Sequence, residues 1–440
     1  MDILDTDTLG KRGAILASKD SLRDKFEAIL SNPYHPDTNP DGFINIGTAE
    51  NYVMLEEVVE FANENRLKFD TETINYGLGP WGSPRLRNGM ARYFNKWFNP
   101  ISHVNPNNII FASGLVSIFE MLGFALGDPG DGVMLTRPCY TAFPGDFGIK
   151  AALTPVFVSF PFTDQFSPVA IVHYEEALSR AKVAGIRVRF LVLCNPHNPL
   201  GRCYSPKALM ALMRWCNRHS IHLIADEVYA MSVYEVPHAS SSDSSSNTQP
   251  FHSVLSLNTD ELIDPSLLHQ TYGFSKDFAS GGLRLGCLYT KNKALLRAVS
   301  AMTQFHWTPS PSETVAIAML EDEEWTASFL TKSKEALATS SAVAKKVLDE
   351  MGIRYAEGSN AGFFLWVDLS SFLDRVYGAE DGWAKEEILN GRMFKEKIFL
   401  TPGGAQAAEC PGFYRLIFTR DERSIREGLR RLGRALGLVL

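Results

Sequence analysis

The sequence predicts an α/β fold, with a large unit built on a mostly parallel sheet between helices and a smaller α+β unit beside it. Three observations carry that reading. Short apolar runs such as Phe190-Leu191-Val192-Leu193 and His222-Leu223-Ile224-Ala225 alternate with segments of helical spacing, and apolar strands separated by helices imply a parallel sheet covered on both faces. The polar groups that stand out, Gly114, Tyr140, Asn198, Asp226, Tyr229 and Lys276, fall just after strands, where ligands sit in such sheets. Near Pro309-Ser310-Pro311 the alternation gives way to long helices, three strands and a last helix.

Residues 1 to about 40 read as a mixed arm ending in the turn signals Asn32-Pro33-Tyr34-His35-Pro36 and Asn39-Pro40-Asp41-Gly42. A short strand, Phe43-Ile44-Asn45-Ile46-Gly47, leads through Thr48-Ala49-Glu50-Asn51 toward a helix near 55–65. A loop rich in Gly and Pro (74–84) precedes a helix from Pro84, whose Leu86, Met90, Tyr93, Phe94 and Trp97 share one face as core. Ile109-Ile110-Phe111 runs into a helix to about Leu126, and Gly132-Val133-Met134-Leu135 is the next strand. The strand at 190–193 ends at Cys194-Asn195-Pro196, a helix covers about 206–219, and the strand at 222–225 ends at Asp226. Two further strands, one ending near Thr271 and one at Gly286-Cys287-Leu288-Tyr289, flank a glycine-rich turn. Beyond 310, helices at 313–320 and to about 349 precede strands at 362–368, 398–400 and 414–418 and a helix at 422–436. The expected division is 1–83 (arm and small-unit segment), 84–310 (large unit) and 311–440 (small unit). Ala239 to Asn247, mostly serine, reads as a flexible surface loop.

Composition excludes several classes. The 440 residues are 45% hydrophobic and 21% charged, ordinary for a globular chain of two or more domains. The net charge of −7 comes without a basic run, which argues against nucleic acid as a partner. No apolar stretch reaches the ~20 residues of a membrane span. The start, Met1-Asp2-Ile3-Leu4-Asp5, carries acids where a signal peptide has bases, so a cytoplasmic protein is expected. The six cysteines lack a CxxC pair and the ten histidines lack an HExxH set, which points to reduced thiols and no metal site. His219 and His222 straddle the start of a strand and read as structural.

The chemistry centres on Tyr272-Gly273-Phe274-Ser275-Lys276-Asp277-Phe278 and Gly281-Gly282-Leu283-Arg284-Leu285-Gly286. A lysine between a strand end and a glycine-rich turn suits an amine that forms a Schiff base with an aldehyde cofactor. If that cofactor is pyridoxal 5'-phosphate (PLP), its other needs have candidates. Asp226 would keep the ring nitrogen protonated, and Asn198 and Tyr229 would bond the ring hydroxyl. Gly114-Leu115-Val116 at a helix start, with Ser275 and Arg284, would hold the phosphate. Tyr140 would stack on the ring, and Arg415 would grip the substrate carboxylate. Each position has a plainer reading: Asp226 as a helix N-cap, Asn198 as a turn former, Tyr140 and Tyr229 as core, Arg284 and Arg415 in ion pairs, Gly114 as a tight turn. Singly the plainer readings are stronger; jointly, in this order and at strand ends, the set favours a PLP site.

The set Asn195-Pro196-His197-Asn198-Pro199-Leu200-Gly201, Asp226-Glu227-Val228-Tyr229, Ser275-Lys276 and Gly282-Leu283-Arg284-Leu285-Gly286 resembles the fold-type-I PLP enzymes, class I/II aminotransferases. Ile46-Gly47-Thr48-Ala49-Glu50-Asn51, Ala361 to Leu369 and Pro411-Gly412-Phe413-Tyr414-Arg415 are similar to 1-aminocyclopropane-1-carboxylate (ACC) synthases, and Trp81 to Arg87 resembles their fungal branch. The resemblance implies a seven-stranded large sheet and a homodimer with sites at the subunit interface. It also implies that Tyr76 reaches the neighbouring subunit's phosphate and that Ala49 and Glu50 lie by the substrate. Departures fall around the substrate. Gly273 stands where the family commonly has a phosphate-binding serine, the Tyr76 loop is one residue longer, and 401–409 keeps only the Pro-Gly of its pattern. These put S-adenosylmethionine in doubt. The expected chemistry is Cα deprotonation by Lys276 followed by β/γ-elimination, first as a carbon–sulfur lyase on cysteine conjugates in fungal secondary metabolism. An aminotransferase, an ACC synthase proper and a non-catalytic PLP-binding module are the alternatives.

Overall fold

A computed structural model of the chain describes residues 8–17, 22–64, 69–161, 164–235 and 248–438. The expected serine loop (239–247) lies outside the described residues. Strand β1 (Ile44–Asn45) precedes a seven-stranded sheet made of β2 (Ile109–Ser113), β3 (Gly132–Thr136), β4 (Thr154–Val158), β5 (Val188–Cys194), β6 (His222–Asp226), β7 (Leu268–Gly273) and β8 (Leu285–Thr290). Their order across the sheet is β2-β8-β7-β6-β5-β3-β4. The strands from β7 to β4 run parallel, and β8 is antiparallel to both β7 and β2. The predicted mostly parallel sheet is thus observed. Strands β3, β6, β7 and β8 are buried almost throughout, as two covered faces require.

Capping sets the flanking helices. Ser83 and Ser205 each accept the third helical amide, from Leu86 and Ala208, and each is followed by proline at the first helical position. In helix Pro84–Trp97 the expected Leu86, Met90, Tyr93 and Phe94 are buried, whereas Trp97 is half-buried under Lys96 Nζ, 5.6 Å from its ring centroid. Strand β4 and helix Ile171–Val183 were not anticipated. Pro155 weakens the strand pattern of β4, which tolerates proline because it lies at the sheet edge. The helix does carry a legible signal, since its buried Tyr174, Ala177, Leu178 and Ala181 follow helical spacing.

Past helix Ser310–Glu321 and the 28-residue helix Glu323–Glu350 come β9 (Arg354–Tyr355), β10 (Phe364–Asp368), β11 (Ile398–Phe399), β12 (Thr401–Pro402) and β13 (Phe413–Ile417). Strands β12-β13-β10-β9 form an antiparallel sheet, and β1 pairs with β11 in parallel. Ile44 and Ile46 share one buried cluster with Phe364, Leu416, Ile417 and Leu429, which brings the N-terminal strand against the C-terminal sheet. Tyr229 belongs to the same cluster, so the two sheets meet where the β6 turn ends.

Candidate active site

Strands β5, β6 and β7 end side by side, with Cys194 opposite Asp226 and Asp226 opposite Thr271. Their ends form the floor of a cavity of about 190 Å³. Of the residues singled out in the sequence, Glu50, Leu115, Val116, Tyr140, Asn198, Asp226, Tyr229, Ser275, Lys276 and Arg284 line it. Ala49, Gly114 and Arg415 touch those walls through the contacts below. Tyr76 does not join them in this chain: it is 81% exposed and packs on Trp307, with ring centroids 5.4 Å apart.

Lys276 Nζ donates to the Ala49 carbonyl. Burial, with the Arg415 guanidinium nearby, lowers its amine to about 8. Asp226 is 4% exposed, and burial pushes its carboxyl up to about 7 against weak hydrogen bonds from Val228 N (3.4 Å) and Thr271 Oγ1 (3.3 Å). The chain after Asp226 makes a turn, not a helix, so the N-cap alternative does not describe this residue. Tyr229 is buried, with its ring edge-on to Phe363 and Phe364.

Gly114 precedes helix Leu115–Leu126 with φ +86°, and a Cβ there would lie 2.4 Å from Arg284 Nη2. Only glycine lets the guanidinium close over the helix start. The first helical amides, at the cavity-lining Leu115 and Val116, have no intrahelical acceptor. Arg284 holds a left-handed backbone (φ 54°), and its Nη1 donates to Gly281 O at 3.0 Å. At Gly273 a Cβ would meet Leu285 O at 2.8 Å across the β7–β8 pair, so a serine in its place needs this pair to shift.

Arg415 is 4% exposed in β13, where it faces Trp366 of β10 and Thr401 of β12. Its Nη1 donates to Asn198 Oδ1 (3.0 Å), its Nη2 donates to Gly47 O (2.8 Å), and its Nε is buried without a partner. Glu50 is steadied from both ends of the chain. Thr419 Oγ1 donates to its carbonyl, and the Tyr52 hydroxyl bonds its carboxylate. The Arg420 guanidinium covers the Tyr52 ring at 3.5 Å from the centroid.

Sequence reasoning missed Thr271, Cys194, Phe119, Tyr52, Arg420 and the Gly47 carbonyl. Register beside Asp226 was the available signal for the first two. The Tyr52–Arg420 contact is tertiary and leaves no local pattern. Among the described residues, no group of histidines, cysteines and acids could hold a metal ion, and no helix is long and apolar enough to cross a membrane. His222 and His269 pair with each other, nitrogens 2.9 Å apart, and His219 pairs with Glu175, matching their structural reading.

These residues fit PLP on three counts. The Gly114 cradle beneath Arg284 suits a phosphate. Asp226, whose carboxyl burial pushes up to about 7, would be held as a carboxylate by a ring cation. The free Nε of Arg415 suits an arriving carboxylate. The aminotransferase class I and II family matches residues 42–432. A probable inactive ACC synthase-like protein 2 of Mus musculus is 31% identical over 421 residues, covering 93% of this chain and 69% of its own. An ACC synthase of Cucurbita maxima is 30% identical over 424 residues, 93% of this chain and 81% of its own. A Thermus thermophilus aspartate aminotransferase double mutant superposes with a TM-score of 0.72 at 21% identity, covering 97% of this chain and 99% of its own, a likeness of fold. The chain therefore belongs to the class I and II aminotransferase family of fold-type-I enzymes, among its ACC synthase-like members, with PLP as cofactor.

Proposed function

We propose that the chain is a PLP-dependent lyase that takes the Cα proton of an amino acid and expels a β or γ leaving group. Carbon–sulfur cleavage of a cysteine conjugate is the first candidate. The observation that carries this reading is the charge inventory of the cavity. Among its described lining residues the cations are Lys276 and Arg284, with Arg415 bonded to the lining Asn198. We assign Lys276 to the cofactor aldehyde, Arg284 to the phosphate and Arg415 to the substrate α-carboxylate. Among the described residues lining the cavity, no further cation is then left for a second carboxylate, and Glu50 in the same wall repels one. Dicarboxylic amino donors and acceptors are disfavoured, and a neutral or cationic side chain is admitted.

Bound PLP supplies an aldehyde for the amine and a cationic ring that draws electrons from Cα. The chain's residues do the rest. Lys276 Nζ, lowered to about 8, is a free amine in a useful fraction near neutral pH and takes the Cα proton. The Ala49 carbonyl orients that amine. Asp226 would hold the proton on the ring nitrogen, Asn198 and Tyr229 would serve the ring hydroxyl, and Tyr140 would serve the ring face. Gly114, Leu115, Val116, Ser275 and Arg284 would hold the phosphate. Arg415 keeps the α-carboxylate fixed, so the bond that breaks is set by the orientation of Cα.

The exposed Tyr76 supports a homodimer in which this residue completes the partner's site. The resemblance of Trp81 to Arg87 to the fungal branch is what favours a place in secondary metabolism. The test of the reaction is turnover of an S-substituted cysteine by the PLP-loaded protein without a keto acid. Continuous release of pyruvate and ammonia over many turnovers is expected. A single turnover that restarts only when a keto acid is added would establish transamination and overturn the proposal.

A further inference from the structure

Asp277 follows Lys276 directly, yet the two side chains serve opposite sides of the turn. Lys276 Nζ meets the Ala49 carbonyl at the cavity. Asp277 is 1% exposed and faces the core. Its Oδ2 accepts from Met231 N at 2.9 Å and from the Tyr272 hydroxyl at 3.0 Å, and its Oδ1 accepts from Ser232 Oγ at 2.5 Å. The Tyr272 hydroxyl lies 3.0 Å from that of Tyr93, which extends the network into helix Pro84–Trp97.

The donors matter because of where they sit. Met231 and Ser232 close the turn that begins at Asp226, and Ser232 N donates to the Tyr229 carbonyl at 3.0 Å. The Ser232 carbonyl accepts from Gly362 N at 2.8 Å, just before β10, whose Trp366 is in register with Arg415. One carboxylate therefore links the turn carrying Lys276 to the turn carrying Tyr229, and through Ser232 to the sheet carrying Arg415. A carboxylate buried this deeply is costly unless its lone pairs are used, and only an acceptor-only group serves three donors at once.

We propose that Asp277 is a positioning residue, fixing the Lys276 amine relative to Tyr229 and Arg415 so that it lies within reach of the cofactor aldehyde. Two variants test it, Asp277→Asn and Ser232→Ala, each prepared without cofactor beside the wild type. Affinity for the cofactor pocket is read with pyridoxine 5'-phosphate, which lacks the aldehyde. The rate of covalent linkage is read with PLP by stopped-flow absorbance, and the adduct is located by mass after borohydride reduction. Asp277→Asn is expected to slow linkage about tenfold to a hundredfold, as misplacement by about 1 Å does, with pyridoxine phosphate affinity held within about threefold. Linkage at the wild-type rate in the folded variant, even with a lower melting temperature, would overturn the proposal. So would a parallel loss of affinity and linkage, which marks general loosening. If Asp277→Asn does not fold, Ser232→Ala decides: it removes one donor, linkage several-fold slower supports the proposal, and an unchanged rate refutes it. An error in the assignment of Lys276 itself would show separately, as no reduced adduct at that residue in the wild type.

Discussion

Burial acts on Asp226 and Lys276 in the same sense and draws both toward neutrality, the carboxyl up to about 7 and the amine down to about 8. For Asp226 the folded value lies above the ordinary 3.8, so the folded chain holds this proton more tightly than the unfolded one. Stability of the cofactor-free protein is then lost as pH rises from about 4 through about 7. Asp226→Asn removes that loss. The cofactor-free variant is expected to be more stable than the wild type at about pH 8, by an amount on the order of 4 kcal/mol, with the gap closing toward pH 4. Stabilisation by added PLP should shrink in the variant, because the ring proton has lost its partner. Scanning calorimetry across pH checks both signs, and a variant less stable than the wild type at about pH 8 without cofactor would contradict them. This residue was legible in the sequence as an acid at the end of an apolar strand. Tyr52 and Arg420 were not, because they meet only when β1 and β13 bring the chain ends together, and neither has a local pattern of its own.

At the scale of elements, the proposed phosphate site is made by a helix start and a turn that interlock. Gly114 at φ +86° leaves room that the Arg284 guanidinium fills. In Gly114→Ala the new Cβ would sit 2.4 Å from Nη2, and the left-handed backbone would add strain of ~1–3 kcal/mol. Affinity for PLP should fall about tenfold or more, measured by fluorescence titration; affinity within twofold of wild type would mean that Arg284 does not hold the phosphate. The long parallel strands were legible because both of their faces are buried and their sequences are continuously apolar. Strand β4 was not, since Pro155 breaks the pattern at an edge that tolerates it. The short β12, two residues long, exists through its partner, not its own propensity. At Asp226 the plainer reading, a helix N-cap, was locally the better bet, and the chain makes a turn there instead.

At the scale of the whole molecule, the proposed homodimer gives a prediction. Tyr76 does not line its own cavity and is 81% exposed, which suits delivery to a partner's phosphate. A mixed-dimer experiment tests this. Lys276→Ala and Tyr76→Ala are each expected to be nearly inactive, and co-expression should restore about a quarter of wild-type activity, since half the dimers are mixed and each mixed dimer has one intact site. No recovery would mean that Tyr76 does not act across an interface. The measurement that bears most directly on the central claim is Cα proton exchange, followed by ¹H NMR in deuterium oxide. The substrate is an S-substituted cysteine, and the protein is PLP-loaded with no keto acid present. The account predicts that the wild type releases pyruvate bearing deuterium in its methyl group, turnover after turnover. Lys276→Ala, reloaded with PLP, should retain the Cα proton at least about a hundredfold longer. Exchange in Lys276→Ala at the wild-type rate would contradict the account.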